Sequence, residues 1–97
     1  VRENAVRGKI LEFLSYIYPE GADERTILSV FYQYHRSRDI DRALEYLSGK
    51  GYVGRKDIPH PYKQQEFVKL YKITSAGIDL MDGLTADAGV GAAPEKD

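Results

Sequence analysis

The hydrophobic period of this chain changes twice, and those changes limit the folds open to it. From Val6 to Leu47 apolar residues recur three or four positions apart, the spacing of one helical face. After Gly51 the period falls to two, in Tyr52 to Ile58 and again in Glu66 to Ile73, as in half-buried strands. At Thr74 the pattern returns to that of a helix. Helices, then a hairpin, then one more helix is the order of an α+β domain, not of alternating βαβ units.

The first helix is read over Glu3 to Tyr18, with Val6, Ile10, Phe13, Leu14 and Ile17 inward, and Pro19 and Gly21 ending it. Asp23 is placed as N-cap of a second helix running from Glu24 to about Tyr34, with Ile27, Leu28 and Phe31 inward and Tyr34 closing the stripe. Ser37 is read as cap of a third, with Ile40, Ala43, Leu44 and Leu47 inward and a stop near Gly49 or Gly51. The short 36–38 break forces these two helices to cross as a helix-turn-helix pair. The strands over 52–58 and 66–73 are joined by a segment containing Pro59 and Pro61, neither of which suits the middle of a paired strand. Thr74 or Ser75 caps the last helix, which ends near Gly83. Its Gly77 costs helix propensity and implies a close backbone neighbour, expected to be a helix of the bundle. Residues 84–97 are rich in small residues and aperiodic, and are expected to form a disordered tail.

Leu44-Glu-Tyr-Leu-Ser-Gly-Lys-Gly-Tyr-Val-Gly-Arg55 and Tyr71-Lys-Ile-Thr-Ser-Ala-Gly77 resemble two regions of winged helix regulators of the multiple-antibiotic-resistance, phenolic-acid-response and related groups: the recognition helix entering the first wing strand, and the second wing strand entering the last helix. The resemblance covers residues 3–83. It implies a three-helix bundle with a two-stranded antiparallel wing, which a third strand can extend, and a short C-terminal helix.

The function it implies is duplex DNA binding by a small transcriptional regulator, with helix 3 in the major groove and the 58–66 wing on the backbone. Transferred position by position, the groove-facing residues are Arg36, Ser37, Arg38, Asp41, Arg42 and Glu45, and the wing contacts are Arg55, Lys56, His60 and Lys63, with Lys69 and Lys72 on a flank. Arginine suits guanine O6 and N7, and serine or a helix-end amide suits phosphate. Asp39 and Asp41 depart from the pattern, because carboxylates near a helix start favour its dipole but repel phosphate.

Charge is distributed in keeping with this. The net charge is -1, yet residues 36–72 hold nine basic and five acidic groups, while 73–97 hold one and five. A winged helix serving as a protein-interaction module is the alternative, favoured by Asp39, Asp41, Glu45 and the eight tyrosines, of which Tyr16, Tyr32 and Tyr46 are expected outside and Tyr52 and Tyr71 in the core. A homodimer would use helix 1, helix 4 or the exposed tyrosines. The absence of cysteine excludes disulfides and thiol chemistry. His35 is expected to meet carbonyls at its helix end and His60 to face water. No nucleophile sits beside an evident base, and no residue set implies a metal or cofactor, so an enzyme is not expected. No apolar run approaches the roughly 20 residues that span a bilayer, and a cytoplasmic protein is expected.

Overall fold

The computed structural model describes residues 3–91. Its elements are α1 (Glu3–Ile17), β1 (Ala22–Asp23), α2 (Glu24–Phe31), α3 (Ser37–Lys50), β2 (Val53–Pro59), β3 (Phe67–Ile73) and α4 (Ser75–Met81). The strands form one antiparallel sheet in the order β1-β3-β2, giving an α+β domain of winged-helix-like topology.

The core follows from the helical stripes. Val6, Ile10, Leu11 and Leu14 of α1 meet Ile27 of α2 and Ile40, Ala43, Leu44 and Leu47 of α3, and Val53, Tyr71 and Ile73 close it from the sheet. Leu11 widens the stripe read from the sequence because α1 packs against α3, α4 and β3 together. The α2 helix stops at Phe31, three residues before its expected end, and Tyr34 is exposed rather than inward.

The register explains where a proline is allowed. His60 N–H donates to Glu66 O at 2.8 Å and Thr74 N–H to Tyr52 O at 3.0 Å, at opposite ends of the β2–β3 ladder. Narrow and wide pairs alternate along an antiparallel ladder, so even-numbered residues exchange its bonds. Pro59 stands opposite Phe67 in a wide pair, where an N–H would point off the free edge of β2. Its missing donor costs no ladder bond and blunts that edge.

Three chain ends meet beside Thr74. Gly51 takes the left-handed conformation at φ 85° and closes α3, with Tyr52 N–H bonded to Leu47 O at 3.0 Å. The Thr74 hydroxyl donates to Gly51 O at 2.6 Å and accepts from Gly77 N–H at 3.2 Å, capping α4. A Cβ on Gly77 would lie 2.4 Å from Tyr52 O and 2.7 Å from Ile73 Cγ1. The close neighbour is therefore the α3–β2 connection, not a helix of the bundle, because α4 starts directly under that connection.

The expected disordered tail is corrected over its first part, and residues 92–97 lie outside the described residues. Val90 is buried, Gly91 N–H donates to Asn4 O at 2.7 Å, and Arg7 donates to Gly89 O at 3.0 Å with its guanidinium 3.6 Å from the Tyr46 ring centre. Tyr46 is thus half-buried under a cation rather than exposed. Tyr52 Oη donates to Asp87 at 2.6 Å, and Lys50 pairs with the same carboxylate at 3.3 Å.

Two predictions follow the two anchors. Gly77→Ala forces overpacking against backbone and should lower stability by about 1–3 kcal/mol in urea unfolding, and an unchanged midpoint would contradict the close approach. The Asp87 hydrogen bond, aided by burial, pushes the Tyr52 hydroxyl up to about 12. A raised tyrosine stabilises fully below its ordinary value of 10.0 and loses that contribution as pH climbs through 12. Absorbance titration should show a late tyrosine step that Asp87→Asn moves toward 10, whereas a step unaffected by that change would disprove the contact.

Candidate nucleic-acid interface

The start of α3 differs from the starts of its neighbours. Asp23 Oδ1 accepts from Thr26 N–H at 3.1 Å to cap α2, the Thr26 side chain and then this amide hold its carboxyl below the ordinary range, and Thr74 caps α4. At α3 the N-cap residue is Arg36, with no side-chain cap bond. Ser37, expected as the cap, is instead the first helical residue. The first amides of a 14-residue helix are left facing solvent, with Arg36, Ser37 and Arg38 exposed around them. Arg42 and Glu45 lie on the exposed face one and two turns further along, and Gly49 continues that line with open space beside it.

Asp41 lies toward the sheet. A groove of about 660 Å³ separates α3 from the ribbon, with Asp41 and Glu45 on one wall and Arg55, Lys69 and Tyr71 on the other. Glu24, from the first turn of α2, closes its end. Burial first, then a hydrogen bond and charge repulsion from Asp41, raises the Glu24 carboxyl above its ordinary 4.5, while Lys69 opposes the shift. Burial, then nearby Glu24, raises the Tyr71 hydroxyl above its ordinary value, while Arg55 opposes the shift. Of the ten expected contact residues, the structure thus gathers Asp41, Glu45 and Arg55 into one mixed-charge groove, with Arg36, Ser37, Arg38 and Arg42 outside it on α3.

The wing residues separate further. Lys56 and Lys63 are exposed on the ribbon and its tip. His60, expected to face water, accepts through Nδ1 from both Tyr62 and Lys63 N–H at 3.0 Å, so this ring shapes the tip. A neutral ring bonded in this way keeps its proton on Nε2, leaving one donor for a ligand. His35 lies against the Phe31 ring, and its own N–H bonds to Phe31 O at 3.0 Å. Among the described residues, no three His, Asp or Glu side chains gather as metal ligands, and no helix is long and apolar enough to cross a membrane.

Against protein-family models, curated proteins and solved structures, the chain gives no match.

The raised Glu24 carboxyl has a definite pH signature. A carboxyl raised in the folded state leaves stability intact below its unfolded value, and stability falls as pH rises from there through the folded value. Glu24→Gln removes this loss. Its unfolding midpoint should gain on the parent protein at pH 7 relative to pH 4, whereas an equal difference at both pH values would show that Glu24 ionises normally.

Proposed function

We propose that the chain binds duplex DNA through the open N-terminus of α3, with Arg36, Arg38 and Arg42 directed at the major groove and Lys56 and Lys63 of the wing on flanking phosphates. The observation that carries this reading is the uncapped, exposed helix start with arginines at its first positions. Free amides and the positive helix end suit a phosphate, and a planar guanidinium suits guanine. Ser37 adds a hydroxyl for the backbone. The acidic wall of Asp41, Glu45 and Glu24 repels phosphate from the groove beneath, which confines contact to two basic patches, one on α3 and one on the wing. In this role the chain is a small cytoplasmic transcriptional regulator without catalytic chemistry or cofactor. A homodimer through α1, α4 or the exposed tyrosines would offer paired helices to paired half-sites.

A protein-interaction module is the second reading. It is favoured by that acidic wall and by Tyr16, which is 89% exposed beside Phe13, Val30 and Phe31.

Fluorescence anisotropy against random and candidate operator duplexes tests the first reading. Affinity should fall with salt by a log–log slope of about 0.9 per phosphate neutralised, and Lys63→Ala should reduce that slope by about 1. Reversing charge at Arg38 and Arg42 should weaken binding by more than about tenfold. Absence of binding at ~20 mM salt, or indifference to the double reversal, would leave the protein-interaction reading in its place.

A further inference from the structure

The ribbon has a second groove, on the face turned away from the acidic wall. Successive strand residues point to opposite faces, and Lys69 and Tyr71 line the groove under α3 while Val68 and Leu70 line this one. Its volume is about 940 Å³. Its floor is apolar, built from Phe13 and Ile17 of α1, Ile58 of β2 and Val68 and Leu70 of β3. Phe67, 65% exposed, stands at its edge.

The sheet edge beside this groove is open. Odd-numbered residues of β3 turn their backbone groups toward β1, because the even-numbered ones bond to β2. The β1 strand pairs only Ala22 with Tyr71 and Asp23 with Leu70, and the chain then turns into α2. Phe67 N–H and C=O and Lys69 N–H therefore face a side on which no strand continues. The opposite edge of the sheet is different, since Pro59 removes a donor there and Arg55 and Asp57 are charged and exposed.

We infer that this groove takes an extended peptide segment of a partner protein, added alongside the first half of β3 with apolar side chains at alternate positions. An unpaired strand edge above an apolar floor demands a backbone ladder and period-two side chains together. Charge selects against nucleic acid here: the lining has Glu20, Asp23 and Glu66 against Arg25 and Lys63, an excess of one negative group. It accepts a segment with uncharged side chains. Size selects against a second copy, since a stable dimer covers about 800 Å² per partner and this cleft matches a short segment. The proposal does not rest on the DNA reading: apart from Lys63 and His60 at the tip, this groove uses the other face of the ribbon.

The test pans a random peptide display library on the full chain and measures the synthesised hits by polarisation and amide exchange. Hits should share apolar residues at alternate positions and bind in the micromolar range. On binding, exchange at Phe67 and Lys69 should slow by about tenfold or more, while Val68 and Leu70, already bonded to β2, change little. Phe67→Asp should weaken the hits by about tenfold with the urea midpoint unchanged, as should N-methylation at alternate peptide residues. No hit tighter than about 1 mM, or hits indifferent to Phe67→Asp that protect neither amide, would overturn the proposal. So would a sedimenting dimer that Phe67→Asp dissociates, because the occupant would then be a second copy.

Discussion

The geometry of this domain hangs on one hydroxyl. Thr74 donates to the carbonyl of Gly51 and accepts from the amide of Gly77, while its own amide bonds to Tyr52. These bonds tie the end of α3, the start of β2, the end of β3 and the start of α4 at a single point. An N-cap of this kind contributes about 1 kcal/mol to its helix, but the positional consequence is larger than that figure suggests. The wing leaves the bundle at the angle these bonds set, so the spacing between Arg38 on α3 and Lys63 at the tip depends on them. Gly77 completes the arrangement by leaving room for the carbonyl of Tyr52.

From that point the ribbon divides into two chemically different faces. Toward α3 it presents Arg55 and Lys69 to Asp41, Glu45 and Glu24, two cations against three carboxyls. Toward α1 it presents Ile58, Val68 and Leu70 above Phe13 and Ile17. Period-two alternation in fewer than ten residues thus supplies both a polar wall and an apolar floor. The chain beyond α4 adds rigidity from the far side, through Tyr52, Lys50 and Arg7 holding Asp87 and Gly89.

What the sequence disclosed was what local chemistry writes. The stripes of α1, α2 and α3, the Asp23 and Thr74 caps and the need for space at Gly77 were all readable, because each depends on residues within a turn or two. The two-residue strand β1 was not, since Ala22 and Asp23 are too few to show a period and pair only because β3 lies beside them. Asp87 and Val90 looked like tail residues. Tyr52, the partner of Asp87, is 35 positions away, Gly91 bonds to the still more distant Asn4, and Val90, a lone valine among small residues, carries no periodic signal. The Glu24–Asp41 pair was hidden for the same reason, as was the role of the His60 ring in folding its own loop. The candidate contact residues could be listed from the sequence, but their division between an exposed helix start and a mixed-charge groove required the fold.

In the proposed role, the open end of α3 and the wing tip together form the DNA-facing surface. The most direct measurement is a residue-resolved NMR titration of the labelled chain with a short duplex at low salt. Amide shifts should concentrate at Arg36 to Arg42 and at Lys56 to Lys63, with Phe13, Ile17 and Ala22 unmoved. Shifts confined to α1 and the exposed tyrosines, or spread evenly over the surface, would contradict it.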